Sequence, residues 1–151
     1  MKFEAALYDL DGLMVDSEPL HGEASERALN VYGRTLEELP DEVRASFYGK
    51  RVIDIASLIV DSLGLEVAPG RWADERHELF MGLIEEGIEL MPGMRESLDV
   101  FDSLGIKKAV VSSGVSRYVI RLLELTGLAD EFESVVTGDE VVSGKPDPEC
   151  Y

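Results

Sequence analysis

Ala5-Ala6-Leu7-Tyr8-Asp9-Leu10-Asp11-Gly12 begins as an apolar run and ends in two aspartates and a glycine. The apolar residues from Ala5 to Leu10 read as a short buried strand, and Asp11-Gly12 as the polar turn that closes it. Two carboxylates at alternate positions at the C-terminal end of a strand can converge on one ligand when the chain turns. Open α/β sheets bind their ligands at that edge. One carboxylate in such a pair can attack phosphorus, while the other handles the leaving-group proton and then activates water. By itself the pattern is weak, because acidic turns are common.

Two later segments repeat the arrangement. Ala109-Val110-Val111 reads as a second buried strand, followed by Ser112-Ser113-Gly114. Hydroxyl and main-chain N–H groups in that loop could grip phosphate oxygens. Ser116 is expected to cap a helix over Tyr118 to Leu125, whose positive end would point at the same place. Ser134 to Thr137 reads as a third strand and leads to Gly144-Lys145-Pro146-Asp147-Pro148. A lysine held by prolines in a loop at the sheet edge can neutralise phosphate and nucleophile together. Met94, Leu98, Phe101 and Leu104 outline a helix before the second strand, stopped by Gly105. Strands alternating with helices imply an α/β core with a parallel sheet.

Between the first and second strands the rhythm is purely helical. Leu20, Ala24, Ala28 and Val31 fall on one face, with Gly33 as a stop. Thr35 and Glu38 have capping-box spacing ahead of a short helix near Leu39 to Phe47, where Pro40 blurs the start. Ile53, Ala56, Ile59, Val60 and Leu63 outline a third helix, and Trp72, Leu79, Phe80, Leu83 and Ile84 a fourth. The expected organisation is a discontinuous α/β core, residues 1–16 with 90–151, interrupted by an all-helical insert over residues 17–89. Hinges are expected at Asp16–Pro19 and Glu89–Gly93.

Three such pieces, each after one strand and in this order, resemble the haloacid dehalogenase superfamily, in its branch with a helical cap inserted after the first motif. Tyr8-Asp9-Leu10-Asp11-Gly12-Leu13-Met14-Val15-Asp16-Ser17-Glu18-Pro19 is similar to the family's first motif. Val110-Val111-Ser112-Ser113-Gly114 is similar to the second, and Gly144-Lys145-Pro146-Asp147-Pro148 to the third. The resemblance runs the length of the chain and implies a Rossmann-like three-layer core, incomplete here, with a helical cap. It implies Asp9 as nucleophile, Asp11 as general acid–base and Lys145 as the stabilising cation. Ser112, Ser113 and Gly114 would hold the phosphoryl group, and the Asp9 carboxylate and Asp11 carbonyl would bind Mg²⁺. Asp11 separates the chain from the true dehalogenases, which lack that aspartate. The cap residues that would meet substrate are His21, Tyr48, Gly49, Lys50, Arg51 and Arg76. His21, Lys50 and Arg51 lead that group.

The expected activity is Mg²⁺-dependent hydrolysis of a small phosphate ester such as a sugar phosphate, through an aspartyl phosphate. The alternative is isomerisation of the β-phosphoglucomutase type. Mutase relatives carry a cap arginine where this chain has Val52, with Arg51 adjacent, which weighs toward hydrolysis. The family's fourth motif, an acidic pair beyond the lysine that completes the metal site, is not in the sequence. Asp147-Pro148 also announces a helix that has only Glu149, Cys150 and Tyr151 to run in, too few to offset nucleation. A truncated chain is therefore expected, with little turnover of its own and with the first strand's edge open to self-association. A non-catalytic remnant is the reading from another class. A phosphorelay receiver is set aside, because it has no place for the helical insert.

Bulk properties narrow the partners. The chain has 151 residues and a formal net charge of −17, from 31 acidic and 14 basic side chains. Such a surface disfavours nucleic acid and anionic membranes, so a phosphate substrate must be drawn by a local cation. The single cysteine, Cys150, allows no internal disulfide and fits a reducing cytoplasm. No apolar run approaches the length needed to cross a bilayer.

Overall fold

The computed structural model describes residues 3–47, 50 and 52–151. It contains two compact units, Met1–Glu18 with Glu85–Tyr151, and Pro19–Ile84. The first carries a parallel sheet in the order β1–β2–β3, formed by β1 (Ala5–Tyr8), β2 (Lys107–Val111) and β3 (Ser134–Val136). Tyr8 stands opposite Val110, and Val110 opposite Val135. Parallel neighbours need long crossovers. Helix α6 (Ser116–Leu125) supplies the one from β2 to β3, and α5 (Met94–Ser103) leads into β2.

β1 is shorter than its apolar run. After Tyr8 the Asp9 carboxylate takes the Leu10 N–H at 2.9 Å, and the Leu10 carbonyl collects the N–H groups of Met14 and Val15 at 2.9 and 3.2 Å. The tight loop needs a left-handed residue, and Gly12 provides it at φ 72°. Asp16 N–H donates to the Glu89 carbonyl at 3.0 Å, and Met91 N–H to the Met14 carbonyl at 2.9 Å. The segments that lead into and out of the insertion are thereby paired with each other.

Leu10, Met14, Val15, Val110, Val119, Leu122 and Leu128 form the buried centre of this unit. The Tyr8 ring meets Phe101 and Phe132 edge-on, and its hydroxyl lies 2.7 Å from Ser97 Oγ. That satisfies the polar tip of a buried aromatic. Lys108, at the opposite end of β2 from the Ser112 loop, is buried against the carboxylates of Asp102 and Glu131. β1 is an edge strand among the described residues, and Phe3 and Leu7 beside that edge are 65% and 49% exposed.

The second unit takes in most of α1 (Glu18–Asn30) and α4 (Pro69–Glu86), with α2 (Asp41–Ala45) and α3 (Val52–Leu63) between them. It has no strand among the described residues. Ala28, Leu29, Leu39, Ala56, Ile59, Val60, Leu63 and Trp72 make one buried cluster. The Thr35 N–H does bond Glu38 Oε1, at 2.9 Å, but the turn so closed is a 3₁₀ turn over Leu36–Glu38. The short helix runs only from Asp41 to Ala45, inside the expected 39–47 span. Leu39 is extended, as the residue before a proline prefers, so helix begins only after Pro40. No helix of the described residues is long and apolar enough to cross a membrane.

Three helical positions expected on buried faces are exposed, Val31, Ile53 and Leu104, at 73%, 42% and 64%, and in β1, expected to be buried, Ala5 and Leu7 are exposed as well. Val31 and Leu104 lie one residue past the last helical residue of α1 and α5, and Ile53 is in the first turn of α3. Helical periodicity stops assigning faces where the helix ends. Replacing Leu98, which is 3% exposed, by alanine should cost about 2–5 kcal/mol in denaturant unfolding. Leu104→Ala should stay within about 0.5 kcal/mol.

Candidate functional site

Asp9 leaves the end of β1 with its side chain half exposed, and its Oδ1 accepts from Lys145 Nζ at 2.7 Å. The same ammonium donates to the Val111 carbonyl at the end of β2, also at 2.7 Å. A lysine far along the sequence thus bridges the C-terminal ends of two neighbouring strands. Its loop is ordered by short-range bonds. Glu149 accepts the N–H groups of Val142 and Ser143 at 2.9 and 2.8 Å, and these hold its pKa below the usual carboxylate value. Asp147 caps the 3₁₀ turn Pro148–Cys150 by accepting the Glu149 N–H at 3.0 Å.

Asp11 has different neighbours. Its Oδ1 accepts from Ser17 Oγ at 2.7 Å and from the Tyr118 hydroxyl at 2.5 Å. Ser17 is fully buried and Tyr118 nearly so. The two carboxylates are thus differentiated, Asp9 by a cation and Asp11 by two hydroxyls.

Ser112 is buried and Ser113 exposed in the loop that follows β2. Ser112 Oγ accepts the Gly114 N–H at 3.0 Å, and the Gly138 N–H donates to the Gly114 carbonyl at 2.8 Å. A Cβ on Gly138 would sit 2.3 Å from the Ser113 carbonyl oxygen, so only glycine allows the β3 loop this close.

Ser116 does not cap α6. It is the first helical residue, and Val115 occupies the cap position without a side-chain bond. Asp139 does the capping from outside the helix, accepting the Ser116 N–H at 2.9 Å and the Ser116 hydroxyl at 2.8 Å. The Thr137 hydroxyl also donates to it, at 2.7 Å. These donors, Thr137 first and then Ser116, push the Asp139 pKa down to about 2. The positive end of α6, expected to face phosphate, is already engaged by a carboxylate of the same chain.

In the second unit, Arg76 is buried and its guanidinium donates to His21 Nδ1 at 2.7 Å, to the His21 carbonyl at 3.1 Å and to Ser25 Oγ at 3.2 Å. A guanidinium only donates, so Nδ1 is the acceptor and the ring proton sits on Nε2. The His21 ring stacks on Phe80 at 4.0 Å. Lys50 is exposed in the same unit. Tyr48, Gly49 and Arg51 lie outside the described residues.

No group of three or more His, Cys, Asp or Glu side chains among the described residues is arranged to hold a metal ion. The Asp9 carboxylate and the Asp11 main-chain carbonyl are hard oxygen donors, which suits Mg²⁺. Such an ion takes about six oxygens and commonly keeps several waters. Two protein donors fit the chemistry without completing the shell.

The family model described as "Haloacid dehalogenase-like hydrolase" matches residues 6–151. The chain belongs to this family. The named members of this family are enzymes, and two curated ones are similar to this chain in sequence. A phosphorylated carbohydrates phosphatase of Thermotoga maritima is 32% identical over 98% of the chain, which covers 67% of that protein. Hexitol phosphatase A of Escherichia coli is 34% identical over the whole chain, again 67% of its own length. Among solved structures, one from Thermotoga maritima, provisionally described as a β-phosphoglucomutase, aligns with a TM-score of 0.79 and 30% identity. It is covered to 68%, and this chain to 99%. The chain therefore spans about two thirds of the length of these relatives. The shared fold is a Rossmann-like α/β core with a helical cap, and the chain is incomplete relative to it.

Ser17, Tyr118, Thr137 and Asp139 take part in this hydrogen-bonding without a sequence signal of that role. Ser17 lay inside the quoted first motif, but Tyr118 was indistinguishable from an apolar helix residue. Gly138→Ala should destabilise by about 1–3 kcal/mol in thermal or denaturant unfolding, because the Ser113–Gly114 loop has to move. The depressed Asp139 pKa gives the sign of a second effect. Its stabilising contribution is present above pH 4 and is lost as the pH falls toward about 2. The melting-temperature gap between wild type and Asp139→Asn should accordingly shrink across that interval.

Proposed function

We propose that the protein is a Mg²⁺-dependent phosphomonoester hydrolase that works through an aspartyl phosphate on Asp9. The substrate class is a small phosphorylated metabolite, in the first instance a sugar phosphate. The observation that carries the reading is the Lys145 ammonium, 2.7 Å from both Asp9 Oδ1 and the Val111 carbonyl. It puts the nucleophile, a cation and the end of the strand leading into the Ser112 loop in one place. The names of the curated relatives, for phosphorylated carbohydrates and hexitols, support the substrate class.

In this reading an Asp9 oxygen attacks phosphorus, and the ester oxygen leaves with a proton from Asp11. Water then attacks the aspartyl phosphate, Asp11 takes its proton, and phosphate departs with Asp9 restored. Ser112, Ser113 and Gly114 hold the phosphoryl oxygens, and Lys145 offsets their charge. Mg²⁺, held by the Asp9 carboxylate and the Asp11 carbonyl, would offset the repulsion between a carboxylate nucleophile and a phosphate dianion. In this reading residues 17–89 are the cap, and His21, Lys50 and Arg51 are its candidate substrate residues. The setting is cytoplasmic, and the open β1 edge is a route to self-association, which sedimentation would report.

A second reading, isomerisation of a sugar phosphate, is favoured by the likeness to the provisionally described β-phosphoglucomutase. Dependence of turnover on glucose 1,6-bisphosphate would select it.

Phosphate release from a panel of sugar phosphates, by the protein as its gene encodes it, tests the proposal. Activity should require Mg²⁺ and vanish with a chelator. Asp9→Asn should reduce it to background, and Asp11→Asn should lower kcat roughly 10²–10⁴-fold. Lys145→Ala should cost roughly 10²–10³-fold. Chelator-insensitive hydrolysis, or an active Asp9→Asn variant, would overturn the mechanism.

A further inference from the structure

Tyr118 lies within α6 and is 5% exposed, yet its ring carries a hydroxyl that must find a partner when buried. That partner is Asp11 Oδ1, at 2.5 Å and 107 positions away in the chain. The ring reaches it by crossing the Ser112–Gly114 loop. A Cβ on Gly114 would lie 2.8 Å from Tyr118 Cδ1, 3.2 Å from Cε1 and 3.2 Å from Ser112 Oγ. Glycine at position 114 therefore has a reason beyond loop flexibility, because the aromatic ring occupies the space a side chain would need.

Ser17 donates to the same Asp11 oxygen, at 2.7 Å and from the other side of the insertion's entry point. Hydroxyls from two separate segments that converge on Oδ1 fix the carboxylate torsion. Both bonds fall on the same oxygen, so Oδ1 is the anchored end of the carboxylate.

We propose that Tyr118 is a positioning residue, whose hydroxyl, together with Ser17, fixes the orientation of the Asp11 carboxylate. The proposal rests on the reading of Asp11 as general acid–base. It also ties that carboxylate mechanically to the phosphate loop, because the ring that reaches Asp11 packs on Gly114.

Tyr118→Phe tests it, since the variant keeps the ring and its packing and loses only the hydroxyl. Hydrolysis of a small phosphate ester by the protein as its gene encodes it should show kcat lowered roughly tenfold with KM within about twofold. A general loss of structure would instead lower the melting temperature and the active fraction. Ser17→Ala and the double variant complete a cycle. Because the two hydroxyls share one acceptor, the double loss should fall short of the product of the single losses. Crystal structures of wild type and Tyr118→Phe supply a readout that needs no turnover, and the Asp11 carboxylate should rotate in the variant. An unchanged torsion, or a kcat within about twofold of wild type, would overturn the proposal. If the wild-type protein hydrolyses no phosphate ester, the proposed function fails, and the carboxylate torsion alone still decides whether Tyr118 positions Asp11.

Discussion

The Lys145 ammonium, shared between the Asp9 carboxylate and the Val111 carbonyl, is the interaction on which the site depends. Asp9 is 136 positions away and Val111 is 34 away, so neither contact is local. A main-chain carbonyl at a strand end is a fixed acceptor, because the sheet holds its backbone. With that carbonyl as one anchor, the lysine holds the half-exposed Asp9 carboxylate at the ends of the two strands. A chain with a formal charge of −17 has no long-range field to draw in phosphate. Whatever attraction it offers an anion has to be concentrated in a local cation of this kind.

Around that contact, the loop after β2 is held from two directions. From one side β3 and its following turn press on it, with Gly138 close enough to exclude any side chain. From the other, the Tyr118 ring lies against Gly114 and ends on Asp11. Asp139 adds an electrostatic element by occupying the N-terminus of α6. The usual argument that a helix N-terminus offers itself to phosphate needs that end to be open. Here the chain supplies its own anion, so under the proposed function the helix dipole is not what would hold phosphate.

The insertion is accommodated by backbone pairing at its base. Bonds from Asp16 to Glu89 and from Met91 to Met14 bring its two connections together, so a helical unit can be added to the sheet without disturbing strand order. Within that unit the helices bury apolar faces in a shared cluster, which is why they could be read from periodicity. The failures came at helix ends, where Val31, Ile53 and Leu104 kept the spacing but not the geometry.

Taken alone, the sequence determined the strand–helix alternation, the position of the all-helical insert, and the placement of Asp9, Asp11, Ser112 and Lys145 after strands. Apolar periodicity and turn chemistry are local properties, and a parallel sheet sends every strand end to the same edge. It could not reveal that Asp139 caps α6, that Gly138 is required by the Ser113 carbonyl, or that Tyr118 reaches Asp11. Each of those contacts joins segments through space, and its residue type is equally at home in a turn or a helix core. A tyrosine at a core position of an amphipathic helix reads as apolar bulk. Only the tertiary structure decides where its hydroxyl ends, because that depends on which loop the helix packs against.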